Sequence, residues 1–155
     1  MKMKNLGYCE LQVDLGSGMK LVKAIQDKLG AEIDIIPVNK LHATIMYDVR
    51  NPDVEPSKSD KVYKAKVIGV QEMGESTSRW HAAALILECE PVQDRHQKLK
   101  DEGFEHSYPD LLLHVSISYG EATGIVLPAL EEMLKEGKLP GTLVLCNETW
   151  DSCKD

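Results

Sequence analysis

Apolar and polar residues alternate from Leu6 to Asp14 (LGYCELQVD), with Cys9, Leu11 and Val13 on one side and Tyr8, Glu10 and Gln12 on the other. A period of two predicts a half-buried strand. Gly16-Ser17-Gly18 breaks the pattern. From Met19 to Leu29 the spacing of Val22, Ile25 and Leu29 predicts a helix that stops at Gly30. Ile33 to Val38 is a short apolar stretch that ends near Pro37. Strand periodicity returns in Leu41–Tyr47, Val62–Met73 and Trp80–Cys89, the last two joined as a hairpin across Gly74-Glu75-Ser76-Thr77-Ser78. Between the first two of these strands, Asn51 to Lys61 (NPDVEPSKSDK) is expected to be the most mobile loop, either one that closes over a ligand or a passive surface loop. Pro91 to Glu102 reads as a helix with proline in its first turn and Gly103 at its end. Leu111–Tyr119 is a strand, Gly124–Glu136 a helix with Val126, Leu130 and Met133 on one side, and Thr142–Trp150 the last strand. Strands and helices alternate in two comparable halves, so one mixed α/β (α+β) domain over residues 1–155, with two similar lobes, is expected.

Each half carries one copy of the same short text. LHATIMY (Leu41–Tyr47) and LHVSISY (Leu113–Tyr119) share Leu, His, Ile and Tyr, and Thr44 answers Ser116 with a second hydroxyl. His114 follows His42 by 72 residues. Alternation puts His42 with Thr44, and His114 with Ser116 and Ser118, on polar stripes of strands whose other face is apolar. By the same rule, unless a bulge intervenes, Tyr47 and Tyr119 fall on the apolar, structural face. Two facing imidazoles suit the cleavage of a phosphodiester: one takes the proton of the attacking hydroxyl, the other protonates the leaving oxygen. The hydroxyls two positions on can donate to non-bridging oxygens, where charge grows. Neither motif holds a ligand-like carboxylate, so no metal and no cofactor are expected.

Composition narrows the partners. A net charge of −7, from 18 basic and 25 acidic residues, argues against long DNA or RNA and leaves room for a small anionic ligand. No apolar run is long enough for a membrane span, and Met1-Lys2-Met3-Lys4-Asn5 leads into polar residues unlike a signal peptide. Cys9, Cys89, Cys146 and Cys153 show no C-x-x-C spacing, which fits reduced thiols in a cytoplasmic protein. The sequence leaves the oligomeric state open.

Paired H-x-[ST] strands, one per half, resemble those of the 2H phosphoesterases. NKLHATIMYD, LLLHVSISYG and the C-terminal NETW are most similar to the small phage nucleases that counter bacterial CBASS defence. The resemblance implies two pseudo-symmetric lobes of antiparallel sheet with outer helices and a metal-independent site in the cleft between them. It places catalysis on His42 and His114, with phosphate contacts from Thr44 and Ser116. It implies cleavage of the 3′,5′ linkages of cyclic di- and trinucleotides such as cGAMP, by the adjacent 2′-hydroxyl and through a 2′,3′-cyclic phosphate, in the host cytoplasm. In that family the terminal strands line the groove, which makes Tyr8, Glu10, Glu148 and Trp150 candidate base contacts. Trp80, followed by Ala82 and Ala84, is a fifth. Two other activities fit the motifs: a phosphodiesterase or 2′,5′-ligase-type enzyme for RNA ends, and a protein that sequesters a nucleotide without cleaving it.

Overall fold

A computed structural model describes residues 5–153; Met1–Lys4 of the start discussed above lie outside the described residues. Six strands and three helices follow in the order β1 (Tyr8–Val13), α1 (Leu15–Leu29), β2 (His42–Tyr47), β3 (Tyr63–Met73), β4 (Ala82–Glu88), α2 (Glu90–Glu102), β5 (His114–Tyr119), α3 (Thr123–Glu136) and β6 (Thr142–Asp151). The strands form one mixed-order sheet, β2-β1-β6-β3-β4-β5, in which every neighbouring pair is antiparallel. The fold is therefore α+β, as the alternating elements predict. No helix among the described residues is long and apolar enough to cross a membrane.

The strand order reads as a palindrome about the β6–β3 junction. On either side, the outer pair is β1 with β2 or β4 with β5, and each outer pair is linked in sequence by a helix, α1 or α2. A pseudo-two-fold thus relates β2 to β5, β1 to β4 and β6 to β3, and makes the two H-x-[ST] strands equivalent. Although they are the two edges of the ladder, β2 and β5 also touch each other, so the sheet coils until its edges meet.

The helix side carries one contiguous hydrophobic core, with Leu11, Ile45, Met46, Leu85 and Ile117 from the strands and Leu21, Ile25, Leu99, Leu130 and Met133 from the helices all fully buried. Full burial of one such side chain is worth about 1.5–3 kcal/mol. Two expectations need correction. The helix α1 starts at Leu15, because Asp14 accepts a hydrogen bond from the Gly16 amide and caps it. Gly18 sits inside this first turn because a Cβ there would stand 3.0 Å from Val38 Cγ1, so it permits close packing rather than breaking the helix. The segment 51–61 is tied down rather than loose. Ser57 takes hydrogen bonds from Arg95 through both its hydroxyl and its carbonyl, at 2.6 Å each, and its amide donates to Glu102, which straps the loop to α2.

Candidate active site

Both copies of the repeat contain a β-bulge at their isoleucine. β2 pairs with β1 as Gln12–His42, Leu11–Ala43 and Glu10–Thr44, skips Ile45, and resumes as Cys9–Met46 and Tyr8–Tyr47. β5 pairs with β4 as Ile86–His114, Leu85–Val115 and Ala84–Ser116, skips Ile117, and resumes as Ala83–Ser118 and Ala82–Tyr119. One extra residue reverses the phase of alternation. His42, Thr44 and Tyr47 consequently share a face, as do His114, Ser116 and Tyr119. Met46 and Ser118 turn to the helix side, where both are fully buried and Ser118 Oγ shares a 2.8 Å hydrogen bond with Thr123 Oγ1. The stripe predicted through Ser118 is corrected: Tyr119 takes that place, and Tyr47 does so in the first half.

The two imidazoles are held alike. His42 Nδ1 lies 3.0 Å from the Lys40 carbonyl, and His114 Nδ1 lies 2.8 Å from the Leu112 carbonyl. A carbonyl oxygen only accepts, so each neutral ring carries its proton on Nδ1 and leaves the lone pair on Nε2. Both rings are thereby oriented with the basic nitrogen away from their own backbone, the geometry required of a proton acceptor or, once protonated, a donor.

The surroundings of the two motifs differ. In the first half Tyr8, Glu10 and Gln12 flank β2 on the histidine face. The Tyr8 hydroxyl and Thr44 Oγ1 share a 3.1 Å hydrogen bond, and the Tyr8 and Tyr47 rings meet edge to face at 6.4 Å. Burial pushes the Tyr8 phenol well above its ordinary range, Thr44 opposes this, and Glu10 adds to it, so it stays a neutral hydroxyl. Tyr119, from the other half, adds a smaller upward push. Glu10, Gln12, Lys40, Asn147 and Thr149 line a cavity of about 180 Å³ here. In the second half the equivalent positions are Ala82, Ala84 and Ile86. Trp80 lies just before β4, 60% exposed, edge-on to Tyr119 at 5.6 Å, with the Arg79 guanidinium 5.0 Å from its ring centre. A larger groove of about 710 Å³, lined by Lys64, Lys66, Glu88, Gln93 and Thr142 among others, lies by the β3–β6 junction and includes neither histidine.

Glu148 and Trp150 are not on this face. β6 pairs as Cys146–Gln12 and Thr149–Glu10, with Asn147 and Glu148 bulging opposite Leu11 and Asn147 at φ 54°. The bulge sends Thr149 to the histidine side and Glu148 and Trp150 to the helix side. There Trp150 packs on Phe104 at 4.8 Å and its Nε1 donates to Glu148. Glu148 accepts Arg95 Nε at 2.8 Å and a terminal guanidinium nitrogen at 2.7 Å, with both side chains buried. The expected base contacts from Glu148 and Trp150 are replaced by a buried ion pair and an aromatic stack. Of the predicted site residues, the structure brings together His42, Thr44, Tyr8 and Glu10 in one half and His114 and Ser116 in the other, with Trp80 at the rim beside Tyr119. Tyr47 and Tyr119, expected on the apolar face, stand on the histidine face instead. The signal was their identity in both copies, five positions after histidine, where unbroken alternation would bury them.

Residues 8–152 match the family described as anti-CBASS protein Acb1. Over 114 residues, 74% of this chain and 72% of the relative, the sequence is 29% identical to the anti-CBASS protein Acb1 of Vibrio phage KVP40. Among solved structures, Usb1 of Kluyveromyces marxianus aligns with a TM-score of 0.47 and 11% identity over 97% of this chain and 95% of that one.

Proposed function

The chain belongs to the anti-CBASS protein Acb1 family, and from that membership we propose that it is a phosphodiesterase that opens cyclic di- or trinucleotide signals of bacterial CBASS defence. The observation that carries this reading is the matched pair of histidines, each on a bulged strand, each with Nδ1 anchored on the carbonyl two residues back. One Nε2 accepts the proton of a ribose 2′-hydroxyl as that oxygen attacks the adjacent phosphorus. The other histidine, protonated at Nε2, gives its proton to the departing 5′-oxygen. A P–O bond to the 2′-oxygen forms and the bond to the 5′-oxygen breaks, leaving a linear nucleotide with a 2′,3′-cyclic phosphate and a 5′-hydroxyl. Thr44 and Ser116 donate to the non-bridging oxygens. The nucleophile is already bound next to phosphorus, which makes the attack unimolecular, and the two imidazoles account for both proton transfers without a metal.

The test is incubation with cyclic dinucleotides, cyclic trinucleotides and RNA ends in excess EDTA, with products identified by mass spectrometry. Linear products with a cyclic phosphate from the ribose rings, and no cleavage of the all-deoxy ring, are expected. Cleavage confined to RNA ends would shift the activity to the second reading, which the net charge of −7 disfavours. Tight binding with no product would make the protein a nucleotide sponge.

A further inference from the structure

The bulges in β2 and β5 are pinned by different means. A bulge leaves its extra residue outside the ladder, so its carbonyl needs a partner from elsewhere. In β5 the Ile117 carbonyl accepts the Ile36 backbone amide at 2.8 Å. In β2 the Ile45 carbonyl accepts Nδ1–H of His96, a buried residue of α2, at 2.7 Å. Two residues on, the Tyr47 amide donates to Nδ1 of His106 at 3.1 Å. The two rings pack edge to face at 4.7 Å. Their partners dictate opposite tautomers, since His96 must donate from Nδ1 and His106 must accept there.

The segment bearing His106 is itself fixed beside the end of β2. Asp48, 1% exposed, accepts the Glu105 amide at 2.8 Å and the Arg50 guanidinium at 2.9 and 2.7 Å, and the Ser107 amide donates to the Tyr47 carbonyl at 2.7 Å. At Gly7 a Cβ would stand 2.1 Å from the Asp48 carbonyl, so only glycine allows β1 this close. Tyr108 completes the cluster, with its ring 5.8 Å from both His106 and Tyr47.

We infer that His96 and His106 are positioning residues for the active face: by clamping the β2 bulge at the Ile45 carbonyl and the Tyr47 amide, they hold Tyr47 against Tyr8 and so keep Tyr8 on Thr44. The inference rests on reading that face as the catalytic one. The groups facing the pair are each other, Lys100 of α2, the Tyr47 and Tyr108 rings, and Asp48 with Arg50. Burial, with His96 and Lys100 adding to it and Asp48 opposing, pushes His106 down to about 4. The clamp is therefore intact near neutrality and opens in acid, when a proton on Nδ1 removes the acceptor for the Tyr47 amide.

The test uses the full chain labelled with nitrogen-15 and carbon-13, and cyclic GMP–AMP as the kinetic probe. In the unaltered protein the Tyr47 amide resonance moves as pH falls toward 4. In His106→Asn, whose side-chain oxygen accepts without titrating, it does not move over that range. His106→Leu and His96→Leu lose the Tyr8–Tyr47 ring contact measured by nuclear Overhauser effect, and kcat/KM falls about tenfold or more. His106→Asn and His96→Asn restore both. If a leucine variant does not fold, the asparagine variants and the amide titration decide. Folded leucine variants with the ring contact and kcat/KM unchanged overturn the inference. If the unaltered protein leaves cyclic GMP–AMP intact, the proposed activity fails for that ring, while the ring contact and amide titration still decide the clamp.

Discussion

The two halves of the sheet repeat one backbone and present two different walls. Histidine, hydroxyl and tyrosine occur in the same register on β2 and β5, down to a bulge at the same isoleucine. The strand beside β2 presents Gln12, Glu10 and Tyr8; its counterpart beside β5 presents Ile86, Ala84 and Ala82. Under the proposed function, the duplicated histidines serve the two proton transfers, and a ligand with unequal ends meets unequal walls on β1 and β4. The wall beside β2 carries a carboxylate and a phenol, and the wall beside β5 carries two fully buried alanines next to the exposed Trp80. Symmetry thus resides in the paired histidine, hydroxyl and tyrosine positions, and asymmetry in the strands beside them.

The largest expected effect breaks both halves equally. His42→Ala and His114→Ala each lower turnover of a cyclic dinucleotide by about 10²- to 10⁴-fold, with unchanged circular dichroism, because each removes one of two proton transfers. Near-normal turnover in either variant would leave the pairing without catalytic meaning.

A tryptophan comparison comes next in size. Trp150→Ala removes the stack on Phe104 and a hydrogen bond to Glu148, and is expected to cost about 3 kcal/mol of stability in urea unfolding. Affinity for a cyclic dinucleotide in a His42→Ala background stays the same. Trp80→Ala does the reverse. Its ring is 60% exposed, so stability changes by about 0.5 kcal/mol or less, while lost stacking weakens binding by about 5- to 150-fold. Calorimetry and melting on His42→Ala and its two tryptophan variants read both quantities. Weaker ligand binding in Trp150→Ala alone would return β6 to the groove.

Element types and order were legible along the chain because Leu11, Ile25, Leu85 and Leu130 recur at clean periods of two or nearly four. The paired histidines were legible because a motif written twice in 155 residues is hard to produce by chance. The bulges were not. A strand with one extra residue keeps the same letters, and the extra residue is chosen by partners far off in sequence, such as His96 for Ile45, 51 positions away. Each side chain on an unexpected face, Ser118, Tyr47, Tyr119, Glu148 and Trp150, lies in or beyond such a bulge on its strand. Asn147 carried a local hint, since asparagine tolerates the positive φ that a bulge can demand. The prolines and charge of 51–61 predict mobility; Arg95, which ties the segment down, is also remote in sequence.

A smaller effect sharpens the difference between the walls. Tyr8→Phe deletes the hydroxyl that holds Thr44 and is expected to slow turnover about fivefold, in line with about 1 kcal/mol for one hydrogen bond. In a Thr44→Val background the same change has little further effect, because the partner is already gone. Ser116 has alanine at the position equivalent to Tyr8, so Tyr8→Phe combined with Ser116→Ala gives additive losses. Equal coupling of Tyr8 to Thr44 and to Ser116 in these two cycles would mean that the phenol serves the whole cleft rather than one wall.

The mildest difference between the halves is their response to acid. His106 in the folded chain is pushed down to about 4, first by burial and then by His96 and Lys100. His96 is lowered as well, by burial ahead of a compensating hydrogen bond to Ile45. An unfolded imidazole titrates near 6.5. Between these values the unfolded chain binds protons that the folded chain refuses, so folding stability rises with pH across the window. The contribution is fully present above about pH 6.5 and is lost progressively as pH falls toward about 4. The bulge in β5 is held by a backbone amide and has no such dependence. Urea midpoints at pH 7.5 and pH 5 are expected to differ more in the unaltered protein than in His106→Asn, which cannot take up the proton. Equal drops in both would assign the acid sensitivity to other groups, and the two halves would then differ in what pins their bulges but not in how firmly.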